Sequence, residues 1–415
     1  MNKEVVIIGG GIIGLCSAYF LLKDGHKVTV IDKSEMNLGA SYINAGLFTP
    51  SHIIPLAAPG MIKKGLKWMF NPSSPLYIKP RLDIDFLKWS WAFNKVCTSK
   101  HVNDSIPAIK NITELSQKLY DEITLNEGFK FHHDKKGLLM LCNSEKGFDS
   151  EVKIAEIARK AGLKVEVLNK KEVQKLEPKI SLNIFGAINY INDSHCTPTE
   201  FMEEMKAFLL KLGVVIYKNE EVIDIKIKNS TVVEVRTKTQ TLKADEFVLA
   251  AGTWTSKFLK KIGVDLLLQA GKGYCINSLK STNIKMPAIL VESNAAVTPM
   301  NGFTRFAGTM EIAGFNTVIN KARVEAIANS VKKYYPTIEI TKEEKQKASY
   351  GFRPLSSDGL PYIGKFKKFN NLTIATGHAM LGWTMGTGTG KLVSEIVSNT
   401  KPSLNLEPFN VSRKF

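Results

Sequence analysis

Val5-Val6-Ile7-Ile8-Gly9-Gly10-Gly11-Ile12-Ile13-Gly14 opens the chain with a change of hydrophobic period. Val5 to Ile8 is a continuous apolar, β-branched run, whereas Ile12, Leu15, Ala18, Tyr19 and Leu22 recur at helical spacing. A strand, a glycine turn and a helix are expected. Gly9 allows the tight turn, Gly11 lets backbone approach a pyrophosphate, and Gly14 lets helix pack on strand. Phosphate would sit at the helix N-terminus, beside Ile12 and Ile13, where free N–H groups and the macrodipole favour negative charge. A second strand, Lys27 to Ile31, ends at Asp32, followed by Lys33. A carboxylate there suits a ribose diol and repels a 2′-phosphate, which disfavours NADP. The reading is α/β (mixed α+β) with a Rossmann-like dinucleotide domain. Val5 to Leu22 carries no charge and has the length of a membrane span, but the glycines and the change of period read against one.

Composition bounds the partners. The chain has 415 residues, 44% hydrophobic and 23% charged, as expected of a globular protein with two or three domains. Cys16, Cys97, Cys142, Cys196 and Cys275 are scattered without metal-ligand spacing, so neither a disulfide framework nor a metal site is expected. A reducing, cytoplasmic setting fits. Lys plus Arg is 56 against 39 for Asp plus Glu, a formal charge of +17. The excess favours acidic small molecules or an anionic membrane surface. The lysines are spread without an arginine-rich tail, and no nucleic-acid partner is expected.

NAD and FAD share the N-terminal unit, so the rest of the chain must separate them. Gly39 to Gly46, with Ser41, Asn44 and Ala45, is a small-residue loop able to follow a flavin. Phe247 to Ala250 reads as a buried strand ending at Ala251, Gly252 and Trp254. Leu372 to Ala375 is another, followed by Gly377, His378, Gly382, Trp383 and Thr384, then Gly386, Gly388 and Gly390 into a helix from about Lys391 to Ser398. Glycine turns so far apart in sequence, each after an apolar strand, point to one extended cofactor, FAD. Val222 is expected near the adenine.

These residues resemble the D-amino-acid oxidase superfamily of FAD-dependent amine oxidoreductases, and within it the bacterial D-amino-acid dehydrogenase small-subunit type. The resemblance rests on Ala40 to Gly46, Ala57-Ala58-Pro59-Gly60 with Leu66 to Phe70, Arg305 with Gly308 to Glu311, Phe352-Arg353-Pro354 with Asp358 to Pro361, and Gly377-His378 with Leu381 to Thr384. Asn192 to Pro198 departs from the pattern. The resemblance implies non-covalent FAD, a β-sheet substrate domain, and oxidative deamination of a D-amino acid. Hydride would pass from Cα to flavin N5, the imino acid would hydrolyse to a 2-oxo acid and ammonia, and electrons would go to a quinone or other acceptor. Secondary amino acids such as D-proline, hydroxy-D-proline, glycine or sarcosine are the alternative substrates. An NAD-dependent dehydrogenase would lack the C-terminal flavin loop, and a non-catalytic flavin scaffold would have no use for a carboxylate clamp.

A planar guanidinium can hold a carboxylate by two parallel hydrogen bonds. Arg353 is at the position where the resemblance puts that arginine. The competing readings are a structural Arg353 fixed to an acid such as Asp358, and Arg305 as the anchor. His378 reads either as a flavin-site residue or as a loop-fixing hydrogen bonder. Backbone N–H groups from 382 to 388 are expected at flavin N1 and the C2 carbonyl. No proton-abstracting residue is required if the amine binds neutral.

The resulting plan assigns 1–82, 146–259 and 351–415 to the FAD domain and 83–145 and 260–350 to the substrate domain. The segment 53–70, apolar with four lysines, suits peripheral contact with an anionic membrane, at the inner face of the cytoplasmic membrane, or else a lid over the flavin.

Overall fold

A computed structural model describes residues 2–63, 65, 74, 76–79, 81 and 83–415. Leu66 to Phe70, and Lys64 before them, therefore lie outside the described residues.

The first strand, Glu4–Ile8, and the first helix, Ile12–Lys23, form where the periodicity changes. The strand lies inside a six-stranded sheet. In order, this contains Val215–Tyr217, Lys27–Ile31, Glu4–Ile8, Glu246–Leu249, Leu372–Thr376 and Tyr362–Lys365. The first five are parallel and the last is antiparallel at the edge. Alternation along the first strand divides its side chains between two cores. Val5 and Ile7 join the core beneath the first helix, while Val6 and Ile8 join the one beneath the antiparallel strands Asp224–Lys228 and Thr231–Arg236. A strand covered on both faces needs the unbroken apolar run that the sequence supplies.

Helices Ser99–Glu127 and Gly386–Ser398 complete the helical layer, contributing Ile109, Ile112, Tyr120, Leu392 and Val393 to the first core. The last helix begins five residues before Lys391, the expected start, so Gly386, Gly388 and Gly390 belong to its opening turns. A Cβ on Gly390 would stand 2.5 Å from the Cys16 carbonyl carbon, and one on Gly388 would be 2.9 Å from the Ile112 carbonyl oxygen. These two glycines let three helices approach backbone to backbone.

The second large sheet has nine strands. Ser349–Ser356, Leu268–Ser278, Phe303–Ile312, Ala295–Met300, Ala288–Leu290, Leu138–Cys142, Gly186–Tyr190 and Val165–Asn169 follow in order, with Leu76–Ile78 beside Phe303–Ile312. Helix Lys321–Tyr334 covers it with Val324, Ile327 and Val331. Three short strands, Leu47–Phe48, Ser194–Cys196 and His133–Asp134, form a separate small sheet.

Sheet membership departs from the expected segments in three places. Val165–Asn169 and Gly186–Tyr190, expected with the cofactor sheet, extend the larger sheet because they pair with each other and then with Leu138–Cys142. Ser349–Ser356 pairs with Leu268–Ser278 and carries Arg353 into that sheet. Ser99–Glu127 packs on the cofactor side instead of the substrate side. In each case a pairing or packing partner distant in sequence decides the placement. All five cysteines are free. Among the described residues, no helix is long and apolar enough to cross a membrane.

Candidate active site

Neighbouring parallel strands deliver the expected cofactor residues to one edge. Ile8, Ile31, Leu249 and Thr376 end their strands next to Gly9, Asp32, Ala250 and Gly377, at the carboxyl ends where α/β sheets bind ligands. Gly9 has φ +113°, and a Cβ there would meet the Ala250 carbonyl oxygen at 2.4 Å. A Cβ on Gly14 would overlap the Gly9 carbonyl oxygen. At Gly11 a Cβ would meet only the Ser41 Oγ, at 3.0 Å. Gly11 therefore faces open space at a helix start without a side-chain cap of its own. The Ile12 N–H instead donates to Ser41 Oγ at 2.9 Å. This is the donor-rich, close-approach cradle that a pyrophosphate needs.

Asp32 does more than await a ribose. Its Oδ2 accepts the Gly10 N–H at 2.7 Å, and its Oδ1 accepts the Ser34 N–H and hydroxyl at 2.8 and 2.6 Å. The carboxylate braces the glycine turn. Val222 is half-buried in the loop after the strand that pairs with Lys27–Ile31. The Lys33 ammonium lies 3.6 Å from the Trp254 ring centroid, on the turn that also holds Ala251 and Gly252.

The loop from Gly39 to Gly46 is pinned from beneath. Arg305 is buried; its Nη1 donates to the carbonyls of Tyr42 (2.9 Å) and Asn44 (2.7 Å), and its Nε to Asn277 Oδ1. Asn44 Oδ1 in turn accepts the Gly46 N–H, across Ala45. Arg305 thus shapes the loop, and three of its donor contacts are already used.

Arg353 is placed differently. It is half-buried on Ser349–Ser356, opposite Gly271 and beside Gly273. A Cβ on Gly273 would lie 2.2 Å from its Nη1 and 2.5 Å from Cζ and Nη2, so the guanidinium occupies space that only glycine leaves. The neighbouring strand bulges here: Lys272 pairs with Glu311 but Tyr274 with Gly308, leaving Thr309 and Met310 opposite Gly273. Thr309 takes φ +57°, and its carbonyl accepts from Arg353 Nη1 at 3.0 Å. That is the guanidinium's one hydrogen bond among the described residues, and no carboxylate there pairs with it. Asp358, the acid considered as its structural partner, is held bidentately by Arg413 at 2.6 and 2.8 Å. Gly273, Thr309 and Arg413 were not identified from sequence, since strand register and bulges carry no local signal.

The C-terminal turn meets this strand. Ala379 N–H donates to the Pro354 carbonyl at 2.8 Å, and His378 bridges to Leu355. His378 is buried, with Nε2 2.9 Å from Thr389 Oγ1 and Nδ1 without a partner among the described residues. Burial pushes its pKa down to about 3, so the ring is neutral near pH 7. A Cβ on Gly382 would meet His378 Cβ at 3.3 Å. The Trp383 indole packs among Phe48, Tyr120 and Phe201, and Thr384 Oγ1 accepts the Thr49 N–H at 3.1 Å. Both side chains bind protein, and of the backbone N–H groups expected at the flavin, that of Met385 donates to the Leu381 carbonyl, that of Gly386 to the Trp383 carbonyl and that of Gly388 to Ser116 Oγ. Gly386 and Gly388 lie within the helix that follows.

The family described as DAO, FAD dependent oxidoreductase, matches residues 4–396. The chain belongs to this family. FAD is accordingly its cofactor, and the cradle at Gly9 to Gly14 with Asp32 fits it. A curated D-amino acid dehydrogenase of Helicobacter pylori is 32% identical over 399 residues, covering 95% of each chain. Another, of Azorhizobium caulinodans, is 31% identical over 419 residues, covering 99% of each. The crystal structure of glycine oxidase from Geobacillus kaustophilus superposes with TM-score 0.78 at 22% identity, covering 100% of this chain and 99% of that one, and shows the shared fold.

Proposed function

We propose that the chain oxidises a D-amino acid to its imino acid, which water hydrolyses to a 2-oxo acid and ammonia. The observation that carries the site assignment is a half-buried guanidinium, Arg353, with open donors and no acid partner among the described residues. The bound flavin supplies the hydride acceptor. Arg353 holds the substrate carboxylate through a charge-assisted fork, and Gly273 and Thr309 hold Arg353. His378 is a positioning residue: burial keeps it neutral, and Thr389 fixes its ring beside the anchor strand. FAD is held non-covalently through Gly9, Gly11, Gly14, Asp32 and the 39–46 loop, so acid precipitation should release it from the protein.

The same reading extends to the electron acceptor, a quinone or another carrier, reached at the inner face of an anionic membrane. Helix Ile84–Val96 supports this, exposing Ile84, Leu87 and Trp91 on one side, with the Lys95 ammonium over the Trp91 ring, on a chain of charge +17.

Arg353→Ala tests the anchor. Losing a charge-assisted bidentate contact costs about 2–4 kcal/mol, a fall in kcat/KM of roughly thirty- to a thousand-fold. Arg353→Lys keeps the charge but not the fork and should raise KM. FAD content should stay constant in both. Near-wild-type kinetics, or loss of FAD, would overturn the assignment.

A further inference from the structure

The small sheet behind the 39–46 loop gathers three side chains that the flavin site does not use. His132 and Asp134 are two residues apart on an extended segment, so they share a face. Asp134 pairs directly across from His195 on Ser194–Cys196, which places the second imidazole on that same face. One potential ligand atom from each residue lies within 4.8 Å of the others, and His132 Nε2 is 3.7 Å from Asp134 Oδ2. His195 is fully buried, and neither of its ring nitrogens has a hydrogen-bond partner among the described residues. An imidazole with two unmet polar atoms in the interior is costly unless something binds it.

We propose that His132, Asp134 and His195 bind a divalent transition-metal ion of the zinc type. Two imidazoles and one carboxylate are a common three-ligand set for such ions, and water would complete the shell. Bonds of about 2.0–2.2 Å place tetrahedral ligand atoms roughly 3.4 Å apart, so the cluster closes by little more than about 1 Å. A supporting contact is already present. His132 Nδ1 is 3.0 Å from Thr197 Oγ1, which also accepts the Asn301 N–H. With its proton on Nδ1 directed at Thr197, His132 turns an Nε2 lone pair toward Asp134. Lys136 Nζ now shares Asp134 Oδ2 at 2.5 Å; its exposed side chain yields that oxygen, or moves to the other, when the ion binds. Ser194–Cys196 also pairs with Leu47–Phe48, directly after the cofactor loop. The ion therefore clips two strands behind that loop and stabilises the fold.

Tag-free, FAD-loaded protein is treated with EDTA, incubated with zinc, dialysed and assayed for bound metal and thermal midpoint. About one zinc per chain should be retained, with a raised midpoint. His132→Ala and Asp134→Ala should each weaken binding at least about tenfold and remove the thermal shift. His133→Ala should retain both, because His133 faces away and contacts Ser194 Oγ at 2.9 Å. Failure of wild type to retain zinc, or retention unchanged in His132→Ala and Asp134→Ala, overturns the proposal. Asp134 is partly exposed, so its variant remains a test if the histidine variant does not fold.

Discussion

Gly273→Ala should disable substrate binding without removing a polar group. The new methyl would stand 2.2 Å from Arg353 Nη1 and 2.5 Å from Cζ and Nη2, where ordinary contact begins near about 3.4 Å. The guanidinium must move by roughly 1 Å, enough to break a two-point alignment with a carboxylate. The loss should approach that of Arg353→Ala, about 2–4 kcal/mol or roughly thirty- to a thousand-fold in kcat/KM. Gly273 lies in a regular antiparallel pair with Gly351, and its φ is not positive, so alanine fits the backbone there. Folding and FAD content should survive. Steady-state kinetics with a D-amino acid and an artificial electron acceptor measure the defect, with flavin absorbance giving occupancy. Because both substitutions act on one contact, the double variant Gly273→Ala/Arg353→Ala should be no worse than Arg353→Ala alone. A Gly273→Ala enzyme within about threefold of wild type, or a double variant showing the product of two independent losses, would refute the reasoning.

Gly11→Val should abolish FAD binding while the apo-fold persists, since its side chain enters the open cradle and meets only Ser41. Asp32→Ala should weaken FAD less, but more than a ribose contact alone implies, because the brace on Gly10 is lost too; flavin titration of both apoproteins orders them. Acid should destabilise the protein through His378. A histidine held neutral by a folded pKa of about 3, against about 6.5 unfolded, contributes stability that is full above the unfolded value and lost as pH falls through that window. Thermal midpoints should therefore fall less between pH 6.5 and 4 in His378→Gln than in wild type, and parallel slopes would contradict this.

What was legible in the sequence was what a short window encodes. Val5 to Gly14 carries its strand, turn and helix in the change of period, and Asp32 ends a strand that can be read in isolation. Arg353 emerged from a resemblance, whereas a turn read around it in Gly351-Phe352-Arg353-Pro354 is in fact a paired strand. The seat of Arg353 did not emerge, because Gly273 and Thr309 matter only once two strands pair with a bulge between them. Arg305, the rival anchor, donates instead to the Tyr42 and Asn44 carbonyls, a role that only the folded loop discloses. Gly386 and Gly388 read as part of a flavin loop, yet they serve close packing against side chains and helices whose residues lie hundreds of positions away. The His132, Asp134 and His195 cluster was invisible for the same reason: two strands separated by about sixty residues bring it together.

The central claim is most directly tested by mixing the FAD-loaded protein anaerobically with single amino acids and following flavin absorbance. D-amino acids should bleach the flavin and yield the matching 2-oxo acid, while their L-enantiomers and the corresponding amines without a carboxylate should leave it oxidised. Bleaching by the decarboxylated amines, or by L-amino acids in preference to D, would contradict the account.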